Sequence, residues 1–284
     1  MEKKNIKLIV TDLDGTLLDG EEKVPYAFFK QIDELTAKGI KVVIASGRQY
    51  FNIKNLFNNH AQKLYFVGDN GALAYYQDEL LHATYLPWKK AFELVEIGKK
   101  IPDVVPLISA SQNTFFEKGN EETIKFIRQF YRHCVVVDDF LDIDTKHEIP
   151  LKVAYYDLIG VKENSIKHFS HDIPDVIATQ SNVHWLDIAP KGTNKGEAIK
   201  TLQKKYDISP EETLTFGDYY NDIEMLQQSK YSFAVASAQE AVKEAASYQC
   251  ATNKEMGVIQ VISDLLEYNP LNSSLDHLFS PYKV

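Results

Sequence analysis

Residues 9–18 read IVTDLDGTLL, a β-branched run that stops in two aspartates one residue apart, with glycine and threonine close behind. Being short, apolar and followed by Asp and Gly, Lys7–Thr11 reads as a buried strand. Carboxylates this close repel one another, so a strand that ends in two of them needs a cation or a raised pKa beside it. An EF-hand calcium loop is excluded, because Leu17 stands where that loop requires glycine and no glutamate falls at its twelfth position. Helix capping accounts for one aspartate but not for the pair.

The surroundings of this strand repeat its pattern. The segment PYAFFKQIDELTAKG (25–39) carries Phe28, Ile32 and Leu35 at helical spacing and closes on Gly39, a helix stop. Ile40–Ala45 is a second apolar strand, ending in Ser-Gly-Arg. A helix is predicted over Tyr50–Asn58, and Leu64–Val67 is a third strand, ending in GDNGA. Strand and helix alternating at this spacing specify a parallel sheet with crossover helices. Between about Leu81 and Asp187 the alternation is less regular. There Leu151–Tyr156 and Val183–Ile188 show the polar alternation of an antiparallel sheet open on one face, and the acidic stretch 138–148 is expected to be a solvated loop. After Pro190 the first character returns, with a helix over Lys195–Tyr206 and strands at Thr213–Phe216 and Ser232–Ala236, each followed by a helix. The tail from Asn269 reads as loop. The expected fold class is α/β: a doubly wound parallel-sheet, Rossmann-like core from residues 1–83 and 188–284, with an α+β domain inserted over residues 84–187.

The totals narrow the function. A chain of 284 residues, 44% hydrophobic and 25% charged, has material for a large core or two smaller ones. A net charge of −9 argues against general affinity for nucleic acid or anionic membrane. Cys134 and Cys250 belong to no CxxC-like spacing, which points to a reducing compartment rather than to disulfides or zinc. The first strand begins within a few residues of Met1, so no signal peptide is expected, and no apolar run approaches the roughly 20 residues of a membrane helix. A cytoplasmic protein, monomeric or weakly dimeric, is expected.

Four stretches place polar residues at the carboxyl end of a core strand, the edge where ligands bind in open α/β sheets. They are Asp12/Asp14/Thr16, Ser46-Gly47-Arg48, the turn PKGTNKG (190–196) into the Lys195 helix, and GDYYND (217–222). Ser46 offers a hydroxyl, and nearby backbone N–H groups, to a phosphate oxygen. Lys191 and Lys195 are both candidates for an anion contact, and a lysine opening a helix adds its charge to the favourable dipole end. Asp218, Asn221 and Asp222 together exceed what capping the next helix requires. In the inserted region, Tyr85, Trp88, Phe115, Phe116, Tyr155 and Trp185 read mainly as packing. His168 and His171 lie one helical turn apart but lack a third ligand nearby, and read as solvated.

Taken in order, DLDGT (12–16), Ser46, Lys195 in NKG and GDYYND resemble the four motifs of the haloacid dehalogenase (HAD) superfamily. The long insertion between the second and third motifs, with VGDNGA (67–72) and WLDIAPKGTNKGEAI (185–199), resembles the Cof-like phosphatases with a type-IIB (C2) cap. The resemblance implies a HAD core with an inserted cap that covers the site and sets specificity. It implies Asp12 as nucleophile and Asp14 as general acid/base. It implies one Mg²⁺ held by the Asp12 carboxylate, the Asp14 backbone carbonyl and Asp218. Ser46, Lys195, Asn221 and the backbone of Leu13 and Gly47 are implied as the grip on the phosphoryl group. Thr16 and Asp222 are implied as supporting residues, Asp222 orienting Lys195 or a metal-bound water. Ser237 departs from the family pattern, which carries asparagine there.

The expected function is therefore a Mg²⁺-dependent phosphomonoesterase acting on a small-molecule phosphate ester, a sugar phosphate or phosphorylated cofactor, through an aspartyl phosphate. The alternatives are a phosphomutase or phosphotransferase of the same superfamily, and a catalytically silent phosphate-binding regulatory protein. A P-type pump is disfavoured because no membrane span is read, and a dehalogenase because it needs neither a second aspartate nor a metal.

Overall fold

A computed structural model of the chain describes residues 5–119, 121–131, 133–169, 173–180, 183–271 and 273–283. The strand that opens the sequence forms over Leu8–Asp12 with all five residues buried. Its residues alternate between two packed faces. Ile9 and Leu13 join the cluster holding Phe28, Ile32 and Leu35, while Leu8 and Val10 join the one holding Ala198, Ile199 and Leu202. Helices Tyr26–Ala37 and Lys195–Tyr206 thus cover opposite faces, and a strand covered on both has no polar alternation to show.

The chain separates into two units, one running to Ala83 and resuming at Asn194, the other spanning Thr84–Thr193. The first contains an eight-stranded sheet. Tyr248–Cys250, Tyr231–Val235, Thr213–Gly217, Leu8–Asp12, Lys41–Ala45 and Tyr65–Gly68 run parallel in that spatial order. Leu73–Tyr76 and Glu79–Ala83 add an antiparallel edge. The chain progresses from Leu8–Asp12 in one direction and from Thr213–Gly217 in the other, so the sheet switches direction between these two strands. Ligands bind at such a switch point in doubly wound sheets, beyond the carboxyl ends of the strands. Register levels that edge: Asp12 pairs with Ala45, and Thr11 lies opposite Phe216.

In the second unit a six-stranded sheet runs Val176–Gln180, Trp185–Pro190, Pro150–Asp157, Val104–Ala110, Thr114–Glu117 and Cys134–Val137. All pairs are antiparallel except the last. Val153 and Tyr155 pack with Ala91, Leu94 and Val95 of helix Trp88–Gly98, while Ala154 and Tyr156 pack with Ile127 of helix Glu121–Phe130. Helices therefore pack on both faces, and the expectation of a sheet open on one face is corrected. The whole of Trp185–Pro190 belongs to this sheet, so the unit extends to Thr193 where the sequence suggested a return to the core at residue 188.

Three further expectations differ from the structure. The helix read over Tyr50–Asn58 stops at Lys54, and a 3-10 segment follows over Asn58–Lys63. The stretch 138–148 is irregular, but it buries Phe140, Ile143 and Glu148 rather than being fully solvated. The tail from Asn269 includes a short helix over Leu275–Leu278, and its Phe279 is completely buried against Tyr231, Phe233 and Tyr248. Of the aromatics singled out in the inserted region, Phe115, Phe116, Tyr155 and Trp185 are buried, Trp88 is partly buried and Tyr85 is exposed. His168 is exposed, while His171 lies outside the described residues.

Candidate active site

Asp12 ends its strand with its side chain almost entirely buried. Lys195, the first residue of its helix, is completely buried and reaches it: Nζ lies 2.5 Å from Asp12 Oδ1 and 2.6 Å from Asp222 Oδ1. The helix starts there because Asn194 caps it, its Oδ1 accepting from the backbone N–H of Glu197 at 2.8 Å. Lys191, the other lysine considered, is exposed and precedes the start of the first unit's second half.

Asp222 is also fully buried, and both its oxygens are engaged. Oδ1 faces Lys195, while Oδ2 accepts from the backbone N–H groups of Asp218 (3.0 Å) and Tyr219 (3.1 Å). Gly217 is required beside it, since a Cβ there would stand 2.5 Å from Asp222 Cβ. Asp218 is half-buried and accepts from the Thr16 hydroxyl at 2.8 Å. Gly15, at φ +82, leaves room for the Asp218 carboxylate where any side chain would collide with it. The DLDGT turn and the GDYYND turn are thus built around each other.

The electrostatics follow from packing these groups at one dry edge. Burial pushes the Asp12 carboxyl well above the usual carboxylate range, and the Asp222 charge adds to this against the opposing Lys195. Burial likewise raises Asp218; the Thr16 hydrogen bond opposes the shift and Asp222 reinforces it. Burial by itself lowers the Lys195 ammonium, but Asp12 and Asp222 outweigh it and hold its pKa above the ordinary lysine value. One ammonium faces more carboxylate charge than it neutralises.

That imbalance is what a cation would correct. One carboxylate oxygen from each of Asp12, Asp218 and Asp222 lies within 4.8 Å of the others. With both Asp222 oxygens already engaged, Asp12 and Asp218 are the carboxylates with capacity left. Hard oxygen donors, raised pKa values and uncompensated charge fit a small divalent ion such as Mg²⁺.

The remaining expected residues surround this cluster. Ser46 is buried at the end of Lys41–Ala45 and its hydroxyl accepts from the Arg48 N–H at 3.1 Å. Leu13 buries its side chain in the core, leaving its backbone in the turn between the two aspartates. Gly47 is exposed beside Asn70, and Asn221, also exposed, donates from Nδ2 to Asn70 Oδ1 at 2.8 Å.

Sequence reasoning gave no role to two residues that the structure places here. Asn70 joins the second motif to the fourth, and it does so from a turn where Asp69, Asn70 and Gly71 all have positive φ. Left-handed backbone costs free energy for Asp69 and Asn70, which are not glycines, while Gly71 adopts it freely, and GDNG is the legible signal for the turn. The second is Arg48, whose guanidinium forks onto the exposed Asp14 carboxylate, Nε to Oδ2 at 2.9 Å and Nη2 to Oδ1.

Residues 9–262 match a family model described as haloacid dehalogenase-like hydrolase. The chain belongs to that family. Among the curated relatives of this HAD-like hydrolase is the Escherichia coli 5-amino-6-(5-phospho-D-ribitylamino)uracil phosphatase YbjI. It is 29% identical over 269 residues, covering 93% of this chain and 97% of YbjI. Phosphatase YwpJ of Bacillus subtilis is 25% identical, covering 92% of this chain and all of that one (100%). Among solved structures, a Streptococcus mutans protein superposes with a TM-score of 0.80 at 29% identity, covering 93% of this chain and 100% of the other. The subclass IIB sugar phosphatase BT4131 superposes at 0.71 with 25% identity, covering 90% of this chain and 98% of its own. The α/β core with an inserted α+β unit is the architecture of this family, as the motifs implied.

Proposed function

We propose that the chain is a Mg²⁺-dependent phosphomonoesterase acting on small phosphorylated metabolites through an aspartyl phosphate on Asp12. The observation that carries the reading is the buried Lys195 ammonium bridging Asp12 and Asp222 at 2.5 and 2.6 Å, with Asp218 beside them at the switch point of the sheet. Such a constellation is worth little to stability and much to anion chemistry.

In this reading Asp12 and Asp218, with the Asp14 backbone carbonyl, hold the ion. Bound there, Mg²⁺ supplies positive charge that offsets repulsion between the carboxylate and an incoming phosphate. Lys195, Ser46, Asn221 and the backbone of Leu13 and Gly47 fix the phosphoryl oxygens, so the ester phosphorus faces Asp12. The Asp12 carboxylate attacks phosphorus and the ester oxygen leaves, taking a proton from Asp14. Water then attacks the phosphorus of the aspartyl phosphate and gives a proton to Asp14. Asp12 is released as carboxylate together with inorganic phosphate. Asp222 keeps Lys195 aimed, and Thr16 keeps Asp218 aimed.

The ribityl phosphate named for YbjI and the sugar phosphates named for BT4131 support a phosphorylated polyol or sugar as the substrate class. The free thiols Cys134 and Cys250 are in keeping with a reducing, cytoplasmic setting. The test is phosphate release from p-nitrophenyl phosphate and a sugar phosphate panel with Mg²⁺. Activity is expected to disappear in Asp12→Asn and in EDTA, and activity surviving either change overturns the assignment.

A further inference from the structure

Arg48 has no part in the mechanism above, yet its side chain holds a residue that does. Its backbone is tied on both sides: the N–H donates to Ser46 Oγ at 3.1 Å and the carbonyl accepts from the Asp69 N–H at 3.0 Å. From that fixed origin the guanidinium forks onto Asp14, Nε donating to Oδ2 at 2.9 Å and Nη2 contacting Oδ1. Among the described residues, it is Arg48 that pins the Asp14 side chain. Both side chains are more than a third exposed, at 36% and 48%, and ion pairs of that kind contribute little to folding. What a planar fork does provide is direction, because two parallel hydrogen bonds fix the rotamer and the plane of the carboxylate. Both Asp14 oxygens act as acceptors in this fork, so the side chain is presented in a single orientation to a water approaching the site.

We infer that Arg48 is a positioning residue for Asp14 in the second half-reaction, the hydrolysis of the aspartyl phosphate. This rests on the reading of Asp14 as acid and base. In that step a water oxygen forms a bond to phosphorus, the bond between phosphorus and the Asp12 oxygen breaks, and the water proton passes to the Asp14 carboxylate. With the fork intact, that carboxylate is held in one orientation. Without it, the exposed side chain turns freely and the water is less often aligned.

The predicted signature is a split between kcat and KM. With p-nitrophenyl phosphate the leaving group departs without help, so kcat/KM reports transfer to Asp12, whereas kcat includes hydrolysis of the phosphoenzyme. In Arg48→Ala kcat should fall by roughly ten- to a hundred-fold, less than the roughly 10²–10⁴-fold of general acid–base catalysis, because the Asp14 base remains but is no longer aimed. KM should fall with it, and a rapid burst of p-nitrophenolate should precede slow turnover. Arg48→Lys should remain impaired, since an ammonium lacks the fork. Asp14→Asn should show the same burst, and adding Arg48→Ala to it should cost nothing further. If Asp14→Asn shows the burst while Arg48→Ala instead raises KM at unchanged kcat, Arg48 contacts substrate and the inference fails, though Asp14 keeps its role. If Asp14→Asn itself shows no burst, the acid/base reading fails first. Additive losses in the double variant also overturn the inference, because two residues acting as a unit do not add.

Discussion

Lys195 and Asp12 come from the two separate segments of the first unit and meet at 2.5 Å between Nζ and Oδ1, both side chains buried. Asp222 occupies the other side of the same ammonium at 2.6 Å. Two carboxylates share one counter-charge in a place from which water is largely excluded. The site is therefore held at a cost to folding, and each substitution there should separate activity from stability.

Removing either partner of that contact should have opposite effects on stability. Lys195→Met leaves Asp12 and Asp222 buried without their cation, which should cost about 3–5 kcal/mol in urea unfolding along with activity. Asp12→Asn also abolishes activity but removes one of two like charges, so its urea midpoint should stay level or rise. Equal destabilisation by both changes would contradict this account of the electrostatics.

Divalent metal should act as a stabiliser of the folded chain. Burial and the Asp222 charge raise Asp12 and Asp218, and a cation between them relieves that repulsion. Millimolar Mg²⁺ should raise the Tm of the wild type by roughly a few degrees through mass action. Asp218→Asn should lose this shift, whereas Asp14→Asn should largely keep it because its metal contact is assigned to the backbone. A shift that persists in Asp218→Asn would remove that residue from the metal site.

Gly71 should be among the least replaceable glycines. It has φ +96, and a Cβ there would collide with the backbone of Asn194, the cap of the Lys195 helix. Gly39 has a similar φ of +78 but open space around it. Gly39→Ala should cost about 1 kcal/mol from backbone conformation alone. Gly71→Ala should cost at least about 2 kcal/mol and should lower activity beyond its effect on stability, since it displaces Lys195. Indistinguishable thermal melts for the two variants would show that the turn yields.

In the second unit, Asp157 should make stability depend on acid pH. Burial pushes this fully buried carboxyl up, but hydrogen bonds from Ser165, Asn164 and Gly160 outweigh it and hold its pKa below the ordinary value. The stability it contributes is therefore present above about pH 4, the unfolded value, and is lost as pH falls through the lower folded value. Asp157→Ala leaves those donors unsatisfied and should cost about 1–3 kcal/mol at neutral pH. Its unfolding midpoint should also change less between pH 5 and pH 2 than that of the wild type. An equal acid response in both proteins would assign the acid sensitivity to other carboxylates.

The core and its four motifs were legible because each depends on local pattern. Strands buried on both faces leave unbroken apolar runs such as VVIA (42–45), and strand-end acids stand out against them. Other features depend on contacts remote in sequence. Phe279 is buried among Tyr231, Phe233 and Tyr248, but in the sequence its polar neighbours make the tail look like loop. Strand Trp185–Pro190 runs two residues past Ile188 because its partner, Val176–Gln180, pairs as far as Pro190. The roles of Arg48 and Asn70 are illegible in the sequence for a different reason. Arginine after a strand-end glycine and asparagine in a turn are commonplace, and only the fork onto Asp14 and the bond from Asn221 set them apart.

The most direct test of the central claim is to trap the covalent intermediate. Protein mixed with p-nitrophenyl phosphate and Mg²⁺ is quenched within milliseconds, reduced with borohydride and mapped by mass spectrometry. An acyl phosphate is converted to the corresponding alcohol, so Asp12 should appear as homoserine, most abundantly in Asp14→Asn and not at all in Asp12→Asn. Turnover that leaves Asp12 unmodified at every quench time, or labels Asp218 or Asp222 instead, would contradict the account.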